Sequence, residues 1–164
     1  MKFFPLDVGV SEIRGIIDII KDNGNAMEVS KLAEETDDEI DDLFPLLDAG
    51  VLLGLCKISK GNVVLTKKGV LLDQHNAKDI FSDALRHIEP FKSVLSLLKS
   101  KDKMSANEIA DALLRRGISY NSDRITNEEL ISGLLTRWSI TNHILSYDQE
   151  SGLWEIYKRA ANGQ

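Results

Sequence analysis

The sequence predicts a mostly helical α+β fold with small β hairpins, arranged as two similar halves. Three observations lead there. Apolar residues recur at helical spacing in three stretches before residue 50 and again beyond residue 105. Each helical set precedes two short strand-like runs around a polar turn, Ser59-Lys60-Gly61 in the first case and Asp148-Gln149-Glu150-Ser151-Gly152 in the second. One long apolar-patterned segment separates the sets. Helix, short helix, third helix and hairpin, written twice, is the plan of tandem winged-helix domains. The expected boundaries are 1–77 and 78–164, with a long kinked helix joining the two.

In the first half, Ile13, Ile16, Ile17 and Ile20 form one stripe from Ser11 to about Lys21, with Ser11 as N-cap and Asn23-Gly24-Asn25 as the stop. A short helix follows from Val29 to Glu35, with Val29, Leu32 and Ala33 inward. The third runs from about Asp38 to Ala49, capped by Thr36 or Asp37 and expected to bury Ile40, Leu43, Phe44 and Leu47. Pro45 lacks a backbone donor and is expected to bend or interrupt that helix, which Gly50 closes. The hairpin pairs 53–58 with 62–65, and Gly61 takes positive φ. A helix from Val70 to about Asn76 continues from it.

The linking helix is read from Lys78 to Lys99, apolar on a broad face and kinked near His87 by Pro90. That breadth suggests sharing between the halves or with a second copy, hence an expected homodimer. Ser105-Ala106-Asn107-Glu108 matches a capping box and starts a helix with Ile109, Ala110, Leu113 and Leu114 inward, ended by Gly117. Thr126-Asn127-Glu128-Glu129 reads as a second capping box, opening a helix with Leu130, Ile131, Leu134, Leu135 and Trp138. The last hairpin pairs 144–147 with 153–157, and Ala160 to Gln164 are expected to fray.

Charge argues against general nucleic-acid binding. Residues 1–77 hold 8 Lys/Arg against 14 Asp/Glu, the whole of the net −6, while residues 78–164 balance at 12 against 12. The third helix carries five carboxylates and no Lys or Arg, where a DNA-reading winged helix would meet phosphate. Asp37, Asp38, Asp41 and Asp42 are either a solvated, dipole-favoured helix start or a dedicated protein-binding face. Lys57, Lys60, Lys67 and Lys68 sit by the first hairpin, where exposed lysines discourage edge pairing. Nucleic-acid contacts, if made, fall to Arg115, Arg116, Arg124 and Arg137, although Glu128 and Glu129 crowd the turn where bases are read.

Chemical groupings are sparse. His75, His87 and His143 lack zinc spacing, and the Asp37–Asp42 run lacks the glycine and terminal glutamate of a calcium loop. Asp38 and Asp42 share a helical face at i, i+4, but two carboxylates alone hold a divalent metal poorly. No nucleophile elbow or dinucleotide turn occurs, so neither catalysis nor a cofactor is expected. Cys56 is the single cysteine and reads as a buried small hydrophobe in a reducing, cytoplasmic setting. Trp138 and Trp154 read as core residues. No segment has the length and apolarity of a membrane span, so no direct membrane insertion is expected.

With both halves laid out, the chain resembles the AAA-associated C-terminal domain family of archaea and bacteria. The matching stretches are Phe4-Pro5-Leu6, Lys31-Leu32-Ala33-Glu34-Glu35, Asp41-Asp42-Leu43-Phe44-Pro45-Leu46-Leu47 and Leu52-Leu53-Gly54. They continue through Val64-Leu65-Thr66, Asp79-Ile80-Phe81, Leu85-Arg86-His87 and Tyr147-Asp148-Gln149-Glu150-Ser151-Gly152. Such modules lie behind the ATPase of nitrate/sulfonate-type ABC transporters. The resemblance implies an accessory module whose partner is an ABC-type ATPase, and it carries no catalytic residues over. The chain contains no Gly-x-x-x-x-Gly-Lys-Ser/Thr phosphate cradle and is not that ATPase itself; its start at Met1 suggests a free-standing protein. The expected function is a regulatory or assembly module binding protein, with a DNA-binding transcription regulator as the alternative.

Overall fold

The isoleucine stripe forms as expected: Ile13, Ile16, Ile17 and Ile20 bury one face of helix α1 (Val10–Asp22). The computed structural model describes residues 2–158. They fall into two units, one of residues 4–84 and one of the residues from 85 onward joined by Lys2 and Phe3. Among the described residues, no helix is long and apolar enough to cross a membrane.

In the first unit, α1 opens two residues earlier than the sequence suggests. Gly9 is the N-cap, its amide donating to Glu12 Oε1 at 3.0 Å, and Ser11 lies inside the first turn. The chain reverses through Gly24 and Asn25, both at positive φ, and enters a short strand β1 (Ala26–Glu28). Helix α2 (Val29–Thr36) buries Val29, Leu32 and Ala33, and Asp37 ends it in the left-handed conformation at φ 58°. The amides of Asp37 and Asp38 turn back to the carbonyls of Glu34 and Ala33 at 3.2 and 3.0 Å. Asp37 thus finishes α2 instead of capping the next helix.

Helix α3 (Ile40–Leu52) is capped by Glu39 and runs uninterrupted through Pro45 and Gly50. Pro45 removes one donor, and the carbonyl it would have bonded belongs to the exposed Asp41, where water can serve it. Leu53 caps the end and Gly54 turns at φ 75°, so residues 53–55 are not strand. Strands β2 (Cys56–Ser59) and β3 (Asn62–Leu65) meet at Lys60-Gly61, both at positive φ, as a two-residue type I′ hairpin requires. Strand β1 pairs antiparallel with β3, giving the order β1-β3-β2 with Met27 opposite Val63.

Thr66 then caps the short helix α4 (Lys67–Leu71), its hydroxyl accepting from the Gly69 amide at 3.1 Å and donating to the Gly54 carbonyl at 2.6 Å. The helix stops at Leu71 and does not reach Asn76. The Asp73 carboxylate takes the amides of His75 and Asn76 at 2.7 and 2.9 Å, which fixes a turn before α5 (Ala77–Leu85). Residues 77–84 thus belong to the first unit.

The single kinked helix expected from Lys78 to Lys99 is two helices. Helix α5 has already ended at Leu85, and helix α6 (Phe91–Lys101) begins after Pro90, its N-cap, where a missing amide costs no helical hydrogen bond. The Glu89 carboxylate accepts from the Ser93 amide and hydroxyl at 2.9 and 2.8 Å, steadying the first turn. Phe81, Leu85, Ile88, Phe91, Val94, Leu95 and Leu98 are all buried within one chain. That removes the ground on which a homodimer was expected.

The second unit continues with β4 (Met104–Ser105) and α7 (Ala106–Arg115). The Ser105–Glu108 capping box forms in both directions, at 3.2 and 3.0 Å, and Ile109, Ala110 and Leu113 are buried, whereas Leu114 is exposed. Helix α8 (Arg124–Leu134) starts two residues before the expected box, because Asp123 Oδ2 accepts from both the Thr126 amide and hydroxyl. It runs into a π-helical turn, Leu135–Ile140, that places Trp138 in the core. Strands β5 (Leu145–Asp148) and β6 (Leu153–Ile156) form the last hairpin, and β4 completes a sheet of order β4-β6-β5. Trp154 is buried beside Tyr147, ring centroids 4.9 Å apart. The expectation for Ala160 to Gln164 lies outside the described residues.

Candidate protein-docking face

Helix α3 has more apolar surface than its core requires. Leu43, Leu46, Leu47, Ala49 and Gly50 are buried, but Ile40, Phe44 and Val51 remain 43%, 46% and 40% exposed. At 3.6 residues per turn the last three fall within about 40° of arc, one open line beside the buried one. The sequence reading placed Ile40 and Phe44 inward. Both apolar lines have helical spacing, and packing against α1 and α2 covers only one of them.

Carboxylates border the open line. Asp41 and Asp48 follow its far edge one residue round from Ile40 and three from Val51, and Asp37, Asp38, Glu39 and Asp42 crowd the helix start. Asp37, Asp38, Asp41 and Asp42 are all exposed. Because α3 begins at Ile40, Asp38 precedes the helix and does not share a face with Asp42. No Lys or Arg occurs between Lys31 and Lys57, so the face is both apolar and anionic. Among the described residues, no three His, Cys, Asp or Glu side chains are grouped to hold a metal ion.

Two of the arginines considered for DNA already have partners within the chain. Arg124 is engaged by Asp111, its Nε donating to Oδ1 at 3.1 Å with an ion pair between Nη2 and Oδ2. Arg116 Nη1 reaches the Ser93 carbonyl at 3.4 Å. Arg115 ends α7 and lines a cleft with Glu108 and Asp111, both anionic, and Arg137 projects from the π-helical turn. Carboxylates therefore stand beside two of the four, which weakens any field for phosphate.

Cys56 and His143 pack against their neighbours. Cys56 is buried, and burial pushes its thiol up to about 11. His143 stacks on Tyr157, with centroids 4.7 Å apart and planes 10° from parallel. Asn127, not singled out from the sequence, is buried and accepts from the Tyr120 amide at 2.7 Å. Its polar side chain gave no signal of burial.

A family model described as the C-terminal AAA-associated domain matches residues 30–148, from the start of α2 to the end of β5. No curated protein and no solved structure matches the chain. The match spans most of the chain and includes the exposed line of α3. The chain belongs to the C-terminal AAA-associated domain family.

Proposed function

We propose that this chain is a non-catalytic assembly or regulatory module, built as tandem winged helices, that works by holding a protein partner. An ABC-type transporter ATPase is the partner to which the family association points. The repeated order supports the winged-helix reading: helix, short strand, helix, helix, then a hairpin whose last strand pairs the short one, in both units. In a DNA reader the third helix of such a unit meets the duplex.

The observation that carries the proposal is the face of α3, with Ile40, Phe44 and Val51 open to solvent beside a row of carboxylates. Anionic flanks repel a duplex, while an apolar line matches a partner's apolar side chains. The complementary partner surface carries Lys or Arg around an apolar centre.

The test is co-purification from native lysate with wild-type chain and with Phe44→Asp, at low and at physiological salt. Retention of an ATPase subunit by wild type and its loss in the folded variant is the expected result. No partner at either salt, or retention indifferent to Phe44→Asp, would count against the proposal. Sub-micromolar, sequence-selective DNA affinity at about 0.15 M salt, lost in Arg137→Ala, would replace it with the transcription-regulator reading.

A further inference from the structure

A concavity of about 640 Å³ lies against one face of α6 in the second unit. Lys92, Ser96, Lys99 and Ser100 line it at i, i+4, i+7 and i+8, the spacing that puts side chains on one side of a helix. Arg86 and His87 enter from the segment before α6, and the buried Leu95 forms an apolar floor. Three fixed positive charges thus surround one hollow, and no carboxylate lines it.

Three other cations of this unit pair with carboxylates. Lys101 pairs with Glu108, Lys103 with Glu155 and Arg124 with Asp111. Arg86, Lys92 and Lys99 form no ion pair with any described carboxylate. Glu89, three residues from both Arg86 and Lys92, is committed to the Ser93 amide and hydroxyl. Like charges gathered without a counter-ion repel one another, and an external anion relieves that repulsion.

We propose that this hollow binds a small polyanion through two or three linked phosphate groups. Guanidinium and ammonium groups, with the hydroxyls of Ser96 and Ser100, form the donor set that phosphate oxygens accept from. Lys92 and Lys99 stand about 10 Å apart along the helix axis, wide for a single phosphate and suited to a short chain of them. No Phe, Tyr or Trp lines the hollow and the His87 imidazole is its one ring, so the lysines, Arg86 and the serine hydroxyls make the phosphates the main recognition element. The proposal is independent of the docking face on α3.

Isothermal titration calorimetry on the full chain at about 50 mM salt tests it with sodium orthophosphate, pyrophosphate, tripolyphosphate and ATP. Affinity should rise from orthophosphate to tripolyphosphate. The double variant Lys92→Gln/Lys99→Gln, at exposed positions and checked by circular dichroism, should weaken tripolyphosphate binding at least tenfold. Lys57→Gln/Lys60→Gln, an equal charge change in the first unit, should leave it unaltered. Flotation with phosphoinositide-containing vesicles separates the sources of the phosphate. Retention lost in Lys92→Gln/Lys99→Gln and competed by tripolyphosphate assigns a lipid headgroup, and tripolyphosphate or ATP binding without retention assigns a soluble ligand. Absence of heat with every phosphate, or an equal loss in both double variants, overturns the proposal. So does duplex binding through Lys92 and Lys99 without tripolyphosphate binding.

Discussion

Gly69→Ala tests the tightest packing in the first unit. A Cβ at Gly69 would stand 2.0 Å from the Leu55 carbonyl oxygen and 3.0 Å from its carbon. Ordinary contact would require the two backbones to separate by more than about 1 Å. They are not free to do so. The Leu55 carbonyl accepts from the Thr66 amide at 2.9 Å, and the Thr66 hydroxyl holds both the Gly69 amide and the Gly54 carbonyl. Overpacking costs about 1–3 kcal/mol and a strained or lost hydrogen bond about 1 kcal/mol. Alanine's helix preference returns about 1 kcal/mol, so the expected net loss is about 1–3 kcal/mol. Gly15→Ala is the matched control. Gly15 is exposed inside α1 with nothing within 4 Å of an added Cβ, so this variant should gain about 0.5–1 kcal/mol. Urea denaturation followed by far-UV circular dichroism is the assay, because Trp138 and Trp154 report only the second unit. Equal stability of Gly69→Ala and wild type within about 0.5 kcal/mol, or shifts of the same sign in both variants, would refute the reasoning.

The Lys101 ammonium and the Ser105 amide lower the Glu108 carboxyl from its ordinary 4.5 to about 2. Because the folded value lies below the unfolded one, the stabilisation is complete above about 4.5 and lost as pH falls through about 2. The stability gap between wild type and Glu108→Gln should narrow over that window, and a gap constant from pH 5 to pH 2 would contradict the assignment. Burial pushes the Cys56 thiol to about 11, so an aromatic disulfide reagent at pH 8 should label native chain far more slowly than urea-unfolded chain. Equal rates would place the thiol at the surface.

Short-range signals were the legible ones. The isoleucines of α1, the Ser105–Glu108 box, the Lys60-Gly61 turn and the buried Trp138 and Trp154 all follow from neighbours within a few residues. The two halves and their order of elements were legible for the same reason. Strands β1 and β4, three and two residues long, carried no alternation to detect, and each exists through pairing with a strand 34–50 positions away. Competition between nearby caps misled at three places, one of them α3, where Glu39 stands as cap in place of Thr36 or Asp37. Gly9 with Glu12 displaced Ser11, and Asp123, which takes two hydrogen bonds from Thr126, displaced Thr126 itself.

Of the candidate sites, the acidic character of α3 was written in the chain, but the docking role proposed for it depends on a line the sequence assigned to the core. Periodicity places Ile40, Phe44, Leu43 and Leu47 on neighbouring stripes without saying which stripe a neighbour covers. The hollow on α6 lay further from view, since Arg86 and Lys99 are thirteen residues apart and meet across the non-helical segment between Leu85 and Phe91. The sequence by itself determined most of the apolar helical stripes, the two hairpin turns and how charge divides between the halves, because those depend on local spacing and composition. Only the tertiary structure decided which apolar line stays open and which cations go unpaired, because burial and charge pairing are set by residues that folding brings near.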